Sequence, residues 1–151
     1  MILTGLNAIL NVEDARRAAR RRLPRGLFEY VDRGAEDEIS IDGNRRDLDA
    51  VKLAPSVLVD VSQRTQEAEV LGRQQPSPLV IAPTAVAGLV WRDGEIALAR
   101  AAAAAGIPFC VSTQSITSIE RIAAESGAEL WFQLYVWKNR ERTLALLDRA
   151  W

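Results

Sequence analysis

Three short apolar runs in the second half of the chain each end in side chains that can form hydrogen bonds. The first run ends at Pro83-Thr84-Ala85, the second at Ser112-Thr113-Gln114 and the third at Gln133-Leu134-Tyr135. Ligands of parallel α/β folds meet the carboxyl ends of the strands, so these segments can converge on one flat heteroaromatic ligand. Because polar residues commonly follow strands, the spacing alone leaves the ligand open.

The composition excludes several kinds of chemistry. The 151 residues are 48% hydrophobic and 26% charged, with a formal net charge of −1, which is ordinary globular composition and indicates no polyanionic partner. There is no histidine and only one cysteine, Cys110. Histidine-based acid–base catalysis within these residues, serine–histidine triads and the common His/Cys zinc sites are therefore excluded, and no metal site is predicted. A dinucleotide fingerprint and a P-loop are also absent from the sequence.

A regular alternation of strands and helices is predicted from Pro78 onward. The apolar runs at 79–82, 108–111 and 131–136 predict strands that are buried on both faces. Three helices are expected. The first covers 94–105, the second begins with a capping box at Thr117–Glu120 and ends at Gly127, and the third follows Asn139. This order predicts an α/β fold in which helices cover a parallel sheet.

The first half of the chain is predicted to hold two helices and a hairpin. Asn11 can cap a helix over 12–22, and Pro24 can open a second one. Segments 51–61 and 65–71 read as extended and are expected to pair with each other. The first helix has an arginine-rich side, which we interpret as a solvated face, so no nucleic-acid partner is predicted.

The expected strands suggest a piece of a larger protein. Three βα units do not close an eight-stranded barrel, although a self-sufficient three-stranded domain is an alternative. No secretory signal is recognised in residues 2–10, and Gly106-Ile107-Pro108 interrupts the charge-free stretch 101–119, so no membrane segment is predicted and a cytoplasmic location is expected.

Five sequence blocks resemble one enzyme family. They are similar to the FMN-dependent α-hydroxy-acid oxidases and dehydrogenases, and within that family most similar to mandelate dehydrogenases. The blocks are LPRGLFEYVDRGAEDE (23–38), LVDVSQRTQEAEVLGR (58–73), PLVIAPTAVAG (78–88), GEIALARAAAAAGIPFCVST (94–113) and LWFQLYV (130–136).

The resemblance implies the N-terminal portion of a (β/α)₈ TIM barrel with FMN at its carboxyl-terminal mouth. Residues 1–77 would supply helices and a hairpin that cover the barrel, and residues 78–151 would supply its first three βα units, at 78–105, 108–126 and 131–151. The remaining C-terminal barrel portion would be a necessary partner. The family also implies a homo-oligomer, specifically a tetramer.

Five residues match cofactor-binding positions of the family. The backbone of Pro83, Thr84 and Ala85 would lie against the flavin ring, and Ser112 and Gln133 would form hydrogen bonds with it. Without the resemblance, Ser112 is equally a strand-end hydroxyl and Gln133 a satisfied core amide.

Two tyrosines match catalytic and substrate-binding positions of the family. The hydroxyls of Tyr30 and Tyr135 would contact the carboxylate, hydroxyl or carbonyl oxygen of a 2-hydroxy acid. The pattern alone makes Tyr30 a half-buried core residue beside Leu27 and Val31. Tyr135 shares one face of its strand with Gln133, so a polar site and a core tyrosine are about equally favoured there.

The implied activity is oxidation of a small, mandelate-like (S)-2-hydroxy acid to the 2-oxo acid. The histidine base of the family is missing, so these 151 residues alone are expected to be inactive. Ala85 is typical of the oxidases rather than the mandelate dehydrogenases, which leaves the electron acceptor open. Gln114 stands where glycolate oxidases often have tryptophan, which favours a larger substrate. A non-catalytic assembly module that pairs with a complementary chain, and an FMN barrel of different chemistry, remain alternatives.

Overall fold

A computed structural model describes residues 9–151. Most of the apolar stretch 2–10, and the start of the predicted 1–77 segment, lie outside the described residues. The chain divides into two compact units, one that ends at Val59 and one that spans Asp60–Trp151. The predicted boundary between residues 77 and 78 stays a prediction.

The first unit is helical. The predicted Asn11 cap is confirmed, since its side chain accepts a hydrogen bond from the Asp14 amide at 2.8 Å. The guanidinium of Arg16 donates to both carboxylate oxygens of Asp32 at 2.6 and 2.9 Å, which joins the first two helices. The helices of this unit are α1 (Val12–Arg22), α2 (Arg25–Asp32) and α3 (Ile39–Ala50).

The predicted hairpin of 51–61 with 65–71 is wrong. Segment 51–61 forms no strand, and the antiparallel pair consists of β1 (Ala68–Val70) and β2 (Arg73–Gln75). The connecting residues Leu71 and Gly72 have φ values of 49° and 78°. Positive φ at both central residues is the feature of two-residue turns whose twist matches that of the flanking strands, so this turn sets the register.

The predicted α/β alternation is confirmed in the second unit. Strands β3 and β4 pair in parallel, in a register that runs from Phe109 opposite Leu130 to Ser112 opposite Gln133. The first predicted strand is reduced to a parallel bridge between Ile81 and Phe109, so the three apolar runs still lie side by side. After the hairpin, the elements are α4 (Ala87–Val90), α5 (Gly94–Ala105), β3 (Phe109–Ser112), α6 (Ile119–Ser126), β4 (Leu130–Gln133) and α7 (Arg140–Ala150).

The helix ends follow local sequence signals with one correction. Gly106 and Gly127 end α5 and α6 with φ values of 67° and 64°, as predicted for left-handed caps. The expected capping box is wrong by one residue, because the N-cap is Ser118 and not Thr117. The Ser118 hydroxyl accepts from the N–H of Arg121, whereas the Thr117 hydroxyl donates to the buried carboxylate of Glu95. The predicted cap of α7 at Asn139 is confirmed.

The core of the second unit lies between α5, α6 and β3. Small side chains at Ala99 and Ala102, both fully buried, let α5 approach the strands closely. The buried cluster consists of Ile96, Ala99, Ala102, Phe109, Val111 and Ile122.

The stretch 101–119 contains a helix end, a strand and a loop, as predicted. Among residues 9–151, no helix has both the length and the apolarity to cross a membrane.

The hairpin is fixed to the amino end of the parallel strands. The buried Gln75 donates its side-chain amide to Glu129 at 3.3 Å, and Arg73 forms a 3.5 Å ion pair with the same carboxylate. Glu129 directly precedes β4, so the contact lies where the strand begins. The carboxyl ends of the strands are therefore left for a ligand site.

Candidate functional site

Ser112 and Gln133 form a polar pair where β3 and β4 end. Ser112 is only 6% exposed, and its hydroxyl donates to Gln133 Oε1 at 3.4 Å. The main-chain N–H of Thr113 donates to the same oxygen at 3.3 Å. Because two donors hold Oε1, the orientation of the amide is fixed, and its Nε2 group has no acceptor among residues 9–151. The site therefore offers a pre-oriented N–H donor.

Thr113 connects this pair to Tyr135. Its hydroxyl donates to the main-chain carbonyl of Gln133 and accepts from the N–H of Tyr135 at 3.0 Å. These bonds fix the chain just beyond the end of β4, where Tyr135 is 54% exposed. The main chain of Tyr135 therefore lies at the same edge as the Ser112–Gln133 pair.

The turn at Pro83-Thr84-Ala85 lies beside the end of β3. Val86, which follows it, has a φ of 48° and donates its N–H to the Gln114 carbonyl at 3.2 Å. Pro83 and Thr84 are exposed, and Ala85 is partly exposed. The structure therefore brings all three predicted strand-end segments to one edge of the sheet.

Sequence reasoning missed a buried carboxylate beneath these segments. Glu95, in the first turn of α5, is 1% exposed and accepts from the Ile116 N–H at 3.3 Å and the Thr117 hydroxyl at 3.0 Å. Burial raises the pKa of Glu95, but hydrogen bonds from its own N–H, from Gly88, Thr117 and Ile116 outweigh it, and the pKa falls below its usual range. No local sequence signal marks this residue, because Arg92-Asp93-Gly94 precedes it and an acid in the first turn of a helix is ordinarily solvated.

Tyr30 belongs to the first unit. It lies on α2 and is 69% exposed, so the expectation of a half-buried core tyrosine is wrong. The neighbouring Phe28 is the buried aromatic residue of that helix. Because Tyr30 and Tyr135 are in different units, their joint role at one substrate stays a prediction.

A cavity of about 490 Å³ is present in the first unit. It contains none of the predicted site residues, and both ionic and apolar side chains line it. Its walls are formed by Arg20, Leu23, Arg25, Phe28, Glu29, Asp32 and Arg33.

The sequence model of a family described as FMN-dependent dehydrogenase matches residues 19–151. The chain belongs to this family. That result confirms the resemblance noted from the five sequence blocks, and FMN is the cofactor of the FMN-dependent dehydrogenases.

Two curated relatives show how much of such an enzyme is present. The chain is 48% identical over 128 residues to (S)-mandelate dehydrogenase of Pseudomonas putida, which covers 85% of this chain and 33% of that protein. It is 47% identical over 147 residues to a putative L-lactate dehydrogenase of Mycobacterium tuberculosis, which covers 96% of this chain and 35% of that protein. The chain thus spans about a third of the length of these relatives.

A solved structure agrees in both sequence and shape. The crystal structure of the monotopic membrane protein (S)-mandelate dehydrogenase superposes with a TM-score of 0.87 at 46% identity, over 94% of this chain and 38% of that one. The described α/β arrangement is therefore the arrangement of part of that enzyme. Because this relative is a membrane protein, the expected cytoplasmic location stays a prediction.

The strand-end residues fit the flavin of an FMN-dependent dehydrogenase. A flavin ring is apolar on its faces and has hydrogen-bonding atoms along its pyrimidine edge. Ala85 carries only a methyl group, and Gln133 Nε2 has no acceptor among residues 9–151, so both residues are compatible with such a ring. The groups available at the strand ends are an uncharged amide and an uncharged hydroxyl, which suit the polar edge of a flat ring.

Proposed function

We propose that the chain is the N-terminal part of an FMN-dependent enzyme that oxidises an (S)-2-hydroxy acid to the 2-oxo acid. The carrying observation is the Ser112–Gln133 pair, with the Val86–Gln114 hydrogen bond holding the neighbouring turn against it. Family membership supports the class of reaction. The similarity to enzymes named mandelate and lactate dehydrogenase supports the class of substrate.

The cofactor site is proposed to use five residues. FMN supplies the electron acceptor for the two-electron oxidation of the acid. Gln133 donates through Nε2 to the pyrimidine edge, and Ser112 keeps that amide in position. The main chain of Pro83, Thr84 and Ala85 lies against the ring, where larger side chains would hold it away.

Tyr135 and Tyr30 are proposed to bind the substrate. A phenol hydroxyl can donate to a carboxylate or to an alcohol oxygen without adding a charge beside the oxidising centre. The fixed N–H of Tyr135 sets the starting point of its side chain, which limits the positions its hydroxyl can reach. Each hydroxyl is proposed to hold an oxygen atom of the acid.

The remaining groups are proposed to come from a C-terminal barrel portion outside these residues. The chain has no histidine to take a proton from the substrate, so the 151 residues alone are proposed to be inactive. In the complete (β/α)₈ barrel, residues 1–77 would cover the barrel and 78–151 would form its first three βα units. A cytoplasmic homo-oligomer, a tetramer by resemblance to the family, completes the proposal.

The substrate is proposed to be mandelate-like. Gln114 is exposed beside the turn that contains Ala85, and it is smaller than a tryptophan at that position would be. The space favours an acid with an aromatic side chain over a short aliphatic one. The Ala85 methyl group is proposed to lie near the reactive edge of the flavin, so we expect it to influence the electron acceptor.

The test uses the complete protein that contains these residues. We expect it to purify with flavin absorbance and to oxidise (S)-mandelate with a higher kcat/KM than (S)-lactate. Flavin without turnover of either acid would favour an FMN barrel of different chemistry. Failure to bind FMN at all would refute the enzymatic proposal and favour the assembly module.

A further inference from the structure

We infer that Glu95 is a positioning residue for the flavin-facing segments, and that its carboxylate holds the 83–88 turn and the 113–117 loop in one arrangement. The inference rests on the proposed function. It extends that function because Glu95 lies beneath the proposed site and needs no contact with FMN or substrate.

The two oxygens of Glu95 bind the 113–117 loop and lie against the 83–88 turn. Oε1 accepts from the N–H of Ile116 at 3.3 Å, and Oε2 accepts from the hydroxyl of Thr117 at 3.0 Å. Oε2 also lies close to Gly88 of the other segment, where a Cβ atom would be only 3.0 Å from it. A single side chain therefore lies between two turns that are far apart in sequence.

A carboxylate satisfies both of these donors at once. Each donor faces an oxygen, so both ends of the side chain accept hydrogen bonds. An amide at position 95 could keep its oxygen toward the Ile116 N–H and donate its N–H₂ group to the Thr117 hydroxyl, which can also accept. A leucine at position 95 accepts from neither, so both donors lose their partner, which is the costly way to lose a hydrogen bond.

The surrounding packing leaves the segments little room to adjust. A Cβ atom at Gly88 would lie 2.8 Å from Ile116 Cδ1 and 3.0 Å from Glu95 Oε2. At Gly94, a Cβ atom would lie 2.5 Å from the carbonyl oxygen of Ala87. Both glycines permit close approach of the turn, the loop and α5, and the carboxylate lies at their junction.

The link to the site is direct. The Val86 N–H that follows Ala85 donates to the carbonyl of Gln114, and the Gln114 N–H donates to the Ser112 hydroxyl at 3.1 Å. Ser112 in turn holds the amide of Gln133. A shift of either segment therefore changes the separation between the main chain at Ala85 and the Ser112–Gln133 pair.

The first test compares Glu95→Leu with Glu141→Leu in the complete protein. Both residues are the second residue of a helix, but Glu141 is exposed, so the control reproduces the change in helix-end charge. In Glu95→Leu we expect hydrogen exchange at the amides of Val86 and Ile116 to accelerate about tenfold or more, while the Ala102 amide in α5 is unchanged. The control leaves all three amides unchanged.

The second readout is the flavin. With Glu95→Leu we expect the Kd for FMN to rise about tenfold and the visible flavin spectrum to shift, because the donors are misplaced. Equal acceleration of every amide, including that of Ala102, would mean general destabilisation and would overturn the inference. So would wild-type exchange and a wild-type flavin spectrum.

A second pair of variants applies if Glu95→Leu does not fold. Thr117→Val removes one donor to the carboxylate, and Thr117→Ser retains it. We expect faster exchange at Val86 and Ile116 in the valine variant and wild-type exchange in the serine variant, and equal behaviour of the two would overturn the inference. The exchange readout needs no flavin, so failure of FMN binding in the wild type would refute the proposed function alone.

Discussion

Ser112 and Gln133 are register partners at the ends of two parallel strands, and the serine hydroxyl donates to the glutamine amide oxygen across 3.4 Å. Within the protein, the Gln133 amide uses its oxygen, Oε1, as an acceptor. Its nitrogen, Nε2, has no acceptor among residues 9–151 and lies at the edge of the sheet where α/β folds bind ligands. The orientation of one side chain thus determines which kind of ligand atom the edge can bind.

Loss of this amide should weaken flavin binding. In the complete protein, Gln133→Leu removes the fixed donor and leaves the Ser112 hydroxyl without its acceptor. We expect the Kd for FMN, measured by fluorescence quenching, to rise about tenfold, equivalent to roughly 1–2 kcal/mol. Gln74→Leu, at an exposed position of β2, is the matched control and should bind as the wild type does. An unchanged Kd for Gln133→Leu would place the flavin edge elsewhere.

Removal of the Tyr135 hydroxyl should affect substrate rather than cofactor. Tyr135→Phe keeps the ring and the main-chain bond to Thr113. We expect kcat/KM for the 2-hydroxy acid to fall by about tenfold or more, since one hydrogen bond to the acid is lost. The Kd for FMN should not change. A variant with wild-type kcat/KM would exclude the phenol from the site.

Gly94 should be intolerant of a side chain. Its Cβ atom would lie 2.5 Å from the Ala87 carbonyl, so Gly94→Ala must displace backbone. We expect a loss of about 1–3 kcal/mol in the free energy of unfolding, measured by urea titration. Gly26→Ala, in α2, meets no atom within 4 Å and should stabilise by up to about 1 kcal/mol through helix propensity. Equal effects of the two variants would contradict the close approach.

The ion pair between α6 and α7 should make stability depend on pH. Arg149 donates to both oxygens of Glu120 at 2.9 and 3.1 Å and, with the main-chain N–H of Glu120, lowers the pKa of that carboxyl from 4.5 to about 2. A lowered folded-state pKa stabilises the folded state above the unfolded pKa, and this contribution disappears as the pH falls from about 4.5 to about 2.

The measurement is a carbon-13 NMR titration of the Glu120 carboxyl. We expect its pKa to lie well below the ordinary range in the wild type and to return toward that range in Arg149→Gln. The stability difference between wild type and Glu120→Gln should shrink over the same pH interval. An ordinary pKa for Glu120 in the wild type would show that the pair is not formed in solution.

Helix boundaries were the most predictable part of the fold, because their signals are local. Asn11 and Asn139 cap their helices with side-chain oxygens only three residues from the amides they satisfy. Gly106 and Gly127 adopt the left-handed conformation that a helix end favours. Such contacts are encoded within one turn of chain and need no tertiary information.

The elements that the sequence reasoning missed depend on non-local contacts or on unusual turns. Helix α3 contains Gly43 together with several Asp and Asn residues, all of which are poor helix formers. Its intrinsic helix propensity therefore does not predict a helix there. The hairpin turns at Leu71, a residue that rarely adopts positive φ. The apolar alternation in 51–61 looked like a strand but has no partner strand in the structure.

The site divides in the same way. Ser112, Gln133 and Ala85 could be predicted, since topology places strand ends together and the family blocks assign them roles. Glu95 could not, because a glutamate in the first turn of a helix is ordinarily solvated and favourable there. Only the arrival of Ile116 and Thr117 over its carboxylate makes it a buried group.

The attachment of the hairpin through Gln75 and Glu129 gives the parallel strands two ends with separate tasks. Anchoring is concentrated where the strands start, and ligand chemistry where they finish. Substitutions around Glu129 can therefore change thermal stability without changing ligand selectivity. Stabilising substitutions are best placed on the hairpin side, with the carboxyl ends of the strands left unchanged.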